Sequence, residues 1–464
     1  MKSLIAFSIA FLSLTTMAFS QTIAGGSGHT LLICPGSKQS LGGLQTWGFN
    51  YYGQLGNGNS GINEPLPASV NGVSGLSAVS GGAMHSILLE GNGQVITMGE
   101  NDRGQLGTGN NDDSYVPVSV PGLSNITAIS AGWEHSLALK NDGTVWAWGY
   151  NAYGQLGTGD TIYHNAPVQV AGLTGITGIA AGRHHSLAIG ANGTVWVWGW
   201  NPYGQLGDNT TANSLTAIQV PGLTGVIAVG GGDGHSIALK NDGTVWAWGF
   251  NVLGQIGQGN WSFNVATPTQ VMGVSNILSI SSGRFHNVAL KSDGTVWTWG
   301  SNAYGEMGDG TTDDALSPIQ LAGLSNVSEI AAGDEYTLVL KNDGTVWGLG
   351  LNGSGQIGNG TMWNQIMSPE PATGPCTAHQ TTTGLAEEEI LVSVYPNPAT
   401  DELTVIAENA VIENVVVYTA DGRICTSSFD MVTGTVNVKG LATGSYYATI
   451  GTKTGNSKVK FVKL

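Results

Sequence analysis

Charge is scarce in this sequence: Asp, Glu, Lys and Arg make up 10% of its 464 residues, against a usual quarter. Positive charge is scarcer still, with 15 Lys+Arg against 31 Asp+Glu and a net charge of −16. Nucleic acid and anionic membrane surfaces, which need clustered cations, are disfavoured as partners. Low charge beside 41% hydrophobic residues excludes ordinary disorder, which needs the reverse. The helix formers Ala, Leu, Glu and Lys give way to Gly and Trp, which excludes a helix bundle or coiled coil. Gly does not recur at every third position, so collagen is excluded. Beyond the N-terminus no run is apolar enough to span a bilayer. No H-E-x-x-H, G-x-S-x-G or phosphate-loop motif occurs. What is present is 72 Gly, 14 Trp and 13 Tyr. That is the composition of a large β protein whose tight turns use glycine for positive φ.

The first twenty residues read as a secretory signal. Lys2 supplies a positive start, Leu4 to Leu14 an apolar run, and Ala18-Phe19-Ser20 the small residues of a cleavage site. The run is too short for a comfortable membrane span. The exported chain is expected to start near Gln21, one unit more negative once Lys2 is gone.

His29, His85, His135, His185, His235, His286 and Tyr336 recur at intervals of 56, 50, 50, 50, 51 and 50 residues. The third repeat shows the pattern. Strands are expected over Ile126 to Gly132, His135 to Lys140, Thr144 to Gly149 and, briefly, Pro167 to Val170, with Asn141-Asp142-Gly143 as a hairpin turn. Trp146 and Trp148 share one face of their strand, Val145 and Ala147 the other. Between the last two strands lies a Gly-rich loop, Asn151 to Gly159. Four strands per repeat is one propeller blade, and stacking blades in a closed ring buries both faces of each. Gly-Gln-Leu-Gly-type loops begin at Gly53, Gly104, Gly154, Gly204, Gly254, Gly305 and Gly355, the sixth departing as Gly305-Glu306-Met307-Gly308. The expected fold is all-β: a seven-bladed β-propeller over residues 21–376 with a small C-terminal β-sandwich-like domain.

The motifs A-G-x-x-H-S-L-A-L and D-G-T-V-W-A-W-G-x-N-x-x-G-Q-L-G-x-G, seven times over residues 22–376, resemble the repeats of the regulator of chromosome condensation family. The resemblance implies a seven-bladed propeller. A rival, the sialidase-type Asp box, fits worse, because its Asp-to-Trp spacing is longer than in Asp142 to Trp146. The family includes a nuclear exchange factor for a small GTPase. An exported, acidic chain without a sizeable insertion does not suit nucleotide exchange. The family also includes a secreted bacterial inhibitor of β-lactamases, which implies use of the scaffold as an extracellular protein-binding platform.

Residues 377–390 are polar and irregular and read as a linker. Residues 391–464 open with Tyr395-Pro396-Asn397-Pro398 and carry Leu441-Ala442-Thr443-Gly444-Ser445-Tyr446 and a basic end, Lys460 to Leu464. Strands are expected at Leu403 to Ile406 and Val415 to Tyr418, with a turn at Asp421-Gly422. This segment resembles the type A C-terminal sorting domain of the type IX secretion system of Bacteroidetes. The resemblance implies passage across the outer membrane, contact with the secretion machinery, and release or attachment at the cell surface. An accessory β-sandwich for binding is the alternative.

Cys34 and Cys376 fall in the first repeat and just past the last one, which ring closure brings together. A Cys34–Cys376 clasp is expected, against the alternative of two separate thiols. Its 343-residue loop sets a chain-entropy ceiling of roughly 5–6 kcal/mol. Six histidines at one repeat position read as packing residues, because a catalytic group has no need to recur in every blade. Symmetry also spreads them around the ring, so no metal site is expected, and no cofactor. The Asp-Gly pairs read as hairpin turns rather than calcium ligands.

The informative positions are the variable pair inside A-G-x-x-H: Ser27-Gly28, Ala83-Met84, Trp133-Glu134, Arg183-His184, Asp233-Gly234, Arg284-Phe285 and Asp334-Glu335. Lying between two strands, they should ring one end of the central channel. Trp, Arg and Phe on exposed turns are hot-spot types. The expected binding residues are therefore Trp133, Glu134, Arg183, His184, Asp233, Arg284, Phe285, Asp334 and Glu335, with plain solvated turns as the alternative. Tyr150, Trp200 and Phe250 form a second candidate set, or simply pack. Trp261, Phe263 and Trp363 are expected in loops. The reading is a secreted or surface-held monomeric propeller that binds a protein or glycan and has no catalytic residues. The alternatives are a secreted hydrolase at the channel mouth, using Glu134 with Glu335, and a structural adhesion component.

Overall fold

The computed structural model describes residues 21–34, 43–374, 376, 392–395, 399–407, 412–419, 424–425, 429–430, 433–452 and 455–464. The expected signal over 1–20, the linker over 377–390, Pro396 to Pro398 and the Asp421-Gly422 turn lie outside them. The chain divides into two compact units, Met1–Gln380 and Thr381–Leu464. Among the described residues every regular element is a strand.

The first unit holds seven four-stranded antiparallel sheets, each built from consecutive strands. In blade three these are Ile126–Ala131, His135–Lys140, Val145–Gly149 and His164–Gln169, running from the axis outward. Gly143, at φ 79°, makes the hairpin between the second and third strands, and Asp142 Oδ1 accepts the Thr144 amide at 3.0 Å. The outer strand starts three residues earlier than the sequence suggests. It is half-exposed and carries Pro167, which an edge strand tolerates because one row of its amides needs no partner; apolar patterning alone therefore misplaces it. Phe263, expected in a loop, lies for the same reason in the outer strand Ser262–Gln270 of blade five.

The core lies between blades. Leu137, Val145 and Ala147 of blade three pack on Ala188 and the buried Trp198 of blade four, while Trp148 faces blade two. Burying one Trp contributes on the order of 4–6 kcal/mol from area alone. Each Gly-rich loop then ties its blade to the next. The Gln105 carbonyl accepts from Ser136 Oγ and Trp148 Nε1, both at 2.8 Å, and Gln155 serves Ser186 and Trp198 identically.

The recurrent histidines complete these ties. His135 Nε2 lies 3.0 Å from Ser186 Oγ, and His29, His85 and His185 meet the corresponding Ser at 2.9–3.1 Å. Each Ser hydroxyl already donates to a Gln carbonyl, so the histidine is the donor and is neutral. Its Nδ1 has no partner, and burial drops the pKa of His185 to about 3. The ring lies against the glycine of A-G-x-x-H: a Cβ on Gly182 would collide with the His185 ring and with the Gly232 carbonyl.

Ring closure follows the same rules without strand exchange. The inner strands Ile23–Gly25 and Val327–Ala332 adjoin. Thr30 Oγ1 and Trp47 Nε1 donate to the Gln356 carbonyl at 2.8 and 2.9 Å, and Tyr336 Oη donates to the His29 carbonyl at 2.5 Å. Cys34 and Cys376 are joined by a disulfide with Cα atoms 5.3 Å apart, and the Cys376 amide donates to Gln45 Oε1 at 3.0 Å.

In the second unit two four-stranded sheets, one around Glu402–Ala407 and one around Ile412–Thr419 and Gly444–Thr452, enclose Leu403, Val417, Val436, Ala448, Ile450 and Phe461. The strands run one to three residues beyond the expected ones at each end.

Candidate functional site

The G-x-x-H turns meet at one mouth of the channel. Ser27, Ala83, Trp133, Arg183, Asp233, Arg284 and Asp334, the first variable residue of each turn, line it together. Their amides form a closed relay: Ala83 donates to the Trp133 carbonyl at 3.0 Å, Asp233 to Arg284 at 2.9 Å, Arg284 to Asp334 at 2.8 Å, and Asp334 to Gly26 at 3.3 Å. Small residues on the inner strands, such as Gly81, Ala131 and Gly231, let the backbones approach and keep the channel itself narrow.

Four charged side chains at the mouth pair with one another, while Arg183 Nε is left without a partner. Asp233 accepts from Arg183 at 2.8 Å and from Arg284 at 3.4 Å, and Arg284 reaches Glu335 at 3.1 Å. Ser27 Oγ donates to Asp334 at 2.8 Å, yet burial raises the Asp334 carboxyl to about 6. Arg183 lies 4.2 Å from the Trp133 ring centre and Arg284 4.9 Å from that of Phe285. Trp133 and both arginines are therefore parts of a rigid network rather than free anchors.

The second variable residue of each turn points away from the axis and meets the position just before the loop Asn. The backbone pins the two together: Tyr150 donates to the Glu134 carbonyl, Trp200 to His184 and Phe250 to Gly234, at 2.8–2.9 Å. The two candidate sets thus fall on one face and fuse across blades. Tyr150 and Tyr153 lie 5.6 and 5.3 Å from His184, Tyr153 and His184 each 5.9 Å from Trp200, Trp200 5.4 Å from Tyr203, Tyr203 4.8 Å from Phe250, and Phe250 6.0 Å from Phe285. The exposed Phe263 extends the belt from Tyr203 at 5.7 Å. Arg103 caps its other end over Tyr150 and Tyr163. Burial, then the Arg183 charge, lowers His184 to about 4, so it joins the belt as a neutral ring.

Within the belt a cleft of about 310 Å³ is lined by Tyr153, Arg183, His184, Trp200, Tyr203, Asp233, Gly234, Phe250 and Phe285. Gly234 is what makes room, since a Cβ there would strike the Tyr203 ring. Tyr153 and Tyr203 were not among the expected residues. Their signal is the Asn-x-Tyr-Gly of the Gly-rich loop, in which the Tyr amide is held by a Gln side chain (Tyr153 N to Gln155 Oε1, 3.0 Å); a loop position explained by its backbone conceals its side chain.

The candidate acid pair Glu134 and Glu335 is not drawn together. Glu335 is held by Arg284, whereas Glu134 sits near Glu100, whose carboxyl burial and then the Glu134 charge raise to about 7. Among the described residues no group of three or more His, Cys, Asp or Glu is placed to hold a metal ion, and no helix is long and apolar enough to cross a membrane.

Comparison with known proteins agrees with this geometry. A family model described as an RCC1-like domain matches residues 10–283, and models of the regulator of chromosome condensation (RCC1) repeat match 293–340, 277–306 and 327–356. The secretion system C-terminal sorting domain matches 393–464. The chain is similar to protein pim1 of Schizosaccharomyces pombe, 37% identical over 60 residues, 13% of this chain and 11% of pim1. It is also similar to human protein RCC2, 39% identical over 98 residues, 20% of this chain and 18% of RCC2. These matches therefore span less than a fifth of either relative. Among solved structures, Prp20p of Saccharomyces cerevisiae aligns over 74% of this chain and 88% of its own, with 23% identity and a TM-score of 0.66, a likeness of fold. The sorting domain marks a protein exported through the type IX secretion system to the cell surface or beyond. A matched RCC1-like domain over more than half of its length places this chain in the RCC1-like domain family, as an exported seven-bladed propeller with a C-terminal sorting domain.

Proposed function

We propose that the protein is a non-enzymatic binding scaffold displayed or released outside the cell, and that a protein or glycan docks on the face where the G-x-x-H turns and the aromatic belt coincide. The observation that carries this reading is the belt itself. At least seven aromatic rings in continuous contact lie half-exposed on one end of a rigid ring, the residue types that dominate binding surfaces. The test is capture from surface and culture extracts by the full chain, beside a variant carrying Trp133→Ala, Arg183→Ala and Phe285→Ala. A defined partner retained by the parent and lost by the folded variant supports the reading, and equal retention overturns it. One observation favours a hydrolase instead: Glu100, raised to about 7 and set near Glu134, is a carboxyl of the kind used for proton transfer. That reading requires turnover abolished by Glu100→Gln or Glu134→Gln.

A further inference from the structure

We propose that the cleft between Tyr153 and Phe285 is a binding site for a short neutral carbohydrate. The inference rests on reading this face as a binding face, and it names the ligand class. Four properties of the cleft converge on it.

The first is the arrangement of the rings. Trp200 stands at 89° to His184 and 90° to Tyr203, and Tyr203, Phe250 and Phe285 follow at tilts of 56° and 51°. None of these contacts is a parallel stack, which would consume two ring faces at once. An edge-on contact covers one ring face rather than two, so this arrangement leaves more ring face for a ligand with apolar C–H surfaces, and a pyranose presents such surfaces above and below its plane. The second is hydrogen bonding. Nine Trp indoles in this propeller donate to a carbonyl or a Thr hydroxyl. Among the described residues the indole N–H of Trp200 and the hydroxyls of Tyr153 and Tyr203 have no such partner. These three residues line the cleft, and two further lining residues hold buried atoms without a partner, His184 Nδ1 and Arg183 Nε; buried polar groups normally find one. Sugar hydroxyls both donate and accept, and so match these groups.

The third is charge. Arg183, Asp233, Arg284 and Glu335 pair among themselves, two of each sign. The lining of the cleft itself carries one charge of each sign, Arg183 and Asp233, paired at 2.8 Å, so it has no net charge and suits an uncharged ligand. The fourth is shape. A volume of about 310 Å³ sits at the small end of ligand clefts. The amides beside it are already taken, Trp200 by His184 and Phe250 by Gly234, so the cleft presents no sheet edge for a peptide strand to extend.

The experiment is calorimetric titration of the full chain with maltose, cellobiose, mannobiose and N,N′-diacetylchitobiose, alongside digalacturonate as an anionic sugar and a proline-rich peptide. At least one neutral disaccharide should bind saturably. Affinity should fall at least tenfold in Trp200→Ala and in Tyr203→Ala, fall less in Trp200→Phe, which keeps a ring but loses the N–H, and stay within twofold in Trp261→Ala, an exposed Trp not lining the cleft. Thermal melting confirms that each variant is folded, and Trp200→Phe carries the test if the alanine variants fail to fold. Binding of the anionic sugar or the peptide alone, equal binding by Trp200→Phe and parent, or no binding of any neutral disaccharide overturns the proposal. Should the capture experiment still yield a partner lost in its variant, only the ligand class is wrong; should both fail, the binding face itself is wrong.

Discussion

Lowering the pH from 6.5 to 5 should remove a large part of this propeller's stability, because its blades are tied by histidines that must stay neutral. His29, His85, His135, His185, His235 and His286 are fully buried, and burial holds five of them at about 3 to 4 and His135 well below the usual 6.5. In the unfolded chain each takes up a proton as the pH falls through 6.5, whereas in the folded chain five do not until about pH 4 and His135 stays neutral well below 6.5. The unfolded state therefore binds more protons, and stability declines as pH falls. At pH 5.5 the six sites account for about 5 protons. Raised carboxyls oppose them; besides the three with the largest shifts, Glu329, Glu134 and Asp113 are also raised, against a seventh lowered histidine, His184. Burial raises Glu306 and Glu100 to about 7 and Asp334 to about 6, so the folded state keeps protons that the unfolded carboxylates have released. With Glu100 discounted for its exposure, this returns about 2 protons, leaving a net slope of about 4 kcal/mol per pH unit. A fall from pH 6.5 to 5 then removes about 5 kcal/mol, a large part of the 5–15 kcal/mol of a typical domain. The assay is urea unfolding followed by Trp fluorescence at pH 7.5, 6.5, 6, 5.5 and 5. His185→Gln retains a donor for Ser236 without a titrating ring, and should lower the slope by about 1 kcal/mol per pH unit. A stability independent of pH over this range, or a slope unchanged in His185→Gln, refutes the neutral-histidine reasoning.

Three further outcomes follow from the same frame. Replacing Cys34 and Cys376 together by Ser should lower the unfolding free energy by about 2–5 kcal/mol, under the chain-entropy ceiling, and a dithiol reductant should reproduce the shift in the parent but not in the variant. Gly182→Ala drives a methyl into the His185 ring and the Gly232 carbonyl and should cost about 1–3 kcal/mol or more in urea unfolding; a neutral effect would mean that the ring can move aside. Glu306→Gln restores the residue found in the other six loops. Because the raised carboxyl of Glu306 stabilises the fold below about pH 4.5 and that contribution is lost as the pH rises through about 7, the gain from the substitution should be about 2 kcal/mol larger at pH 8 than at pH 5.5.

Much of the fold was legible because each blade repeats the same physical requirements. The 50-residue period, the Trp-x-Trp strands and the Asp-Gly hairpins are each local and each recur, so chance cannot mimic them. The outer strands were less legible: half-exposed edges such as His164–Gln169 tolerate Pro167 and lack a clean alternation, so their ends escape a pattern reading. The candidate site was legible only in part. That the G-x-x-H turns crowd one mouth follows from topology. That Tyr150 and Tyr153 touch His184, more than thirty residues on and in the next blade, follows from blade spacing and side-chain length, which no single repeat contains. Pairing among Arg183, Asp233, Arg284 and Glu335 was hidden for the same reason, and it converts residues that read as free anchors into mutually paired ones.

A ring built from equivalent blades can hold a specific site only where the blades differ, and the differences here are concentrated. The glycine, the histidine or tyrosine, and the loop Asn and Gln or Glu recur in all seven blades, and each has a structural duty that explains it. The position before the loop Asn does not. It reads Phe49, Glu100, Tyr150, Trp200, Phe250, Ser301 and Leu351 around the ring, aromatic in three successive blades and then abruptly not. Had these rings served blade packing, blades six and seven would need them too; yet Ser301 and Leu351 occupy the same backbone frame, held by the same bonds to the Phe285 and Glu335 carbonyls at 2.9 and 2.8 Å. The frame thus tolerates a serine where blade four places a tryptophan. The aromatic run across blades three to five is therefore surplus to folding, and replacing Trp200 should affect ligand binding far more than stability. A Trp200→Ser variant that lost several kcal/mol of unfolding free energy would return these rings to the core and remove the ground for reading the cleft as a site.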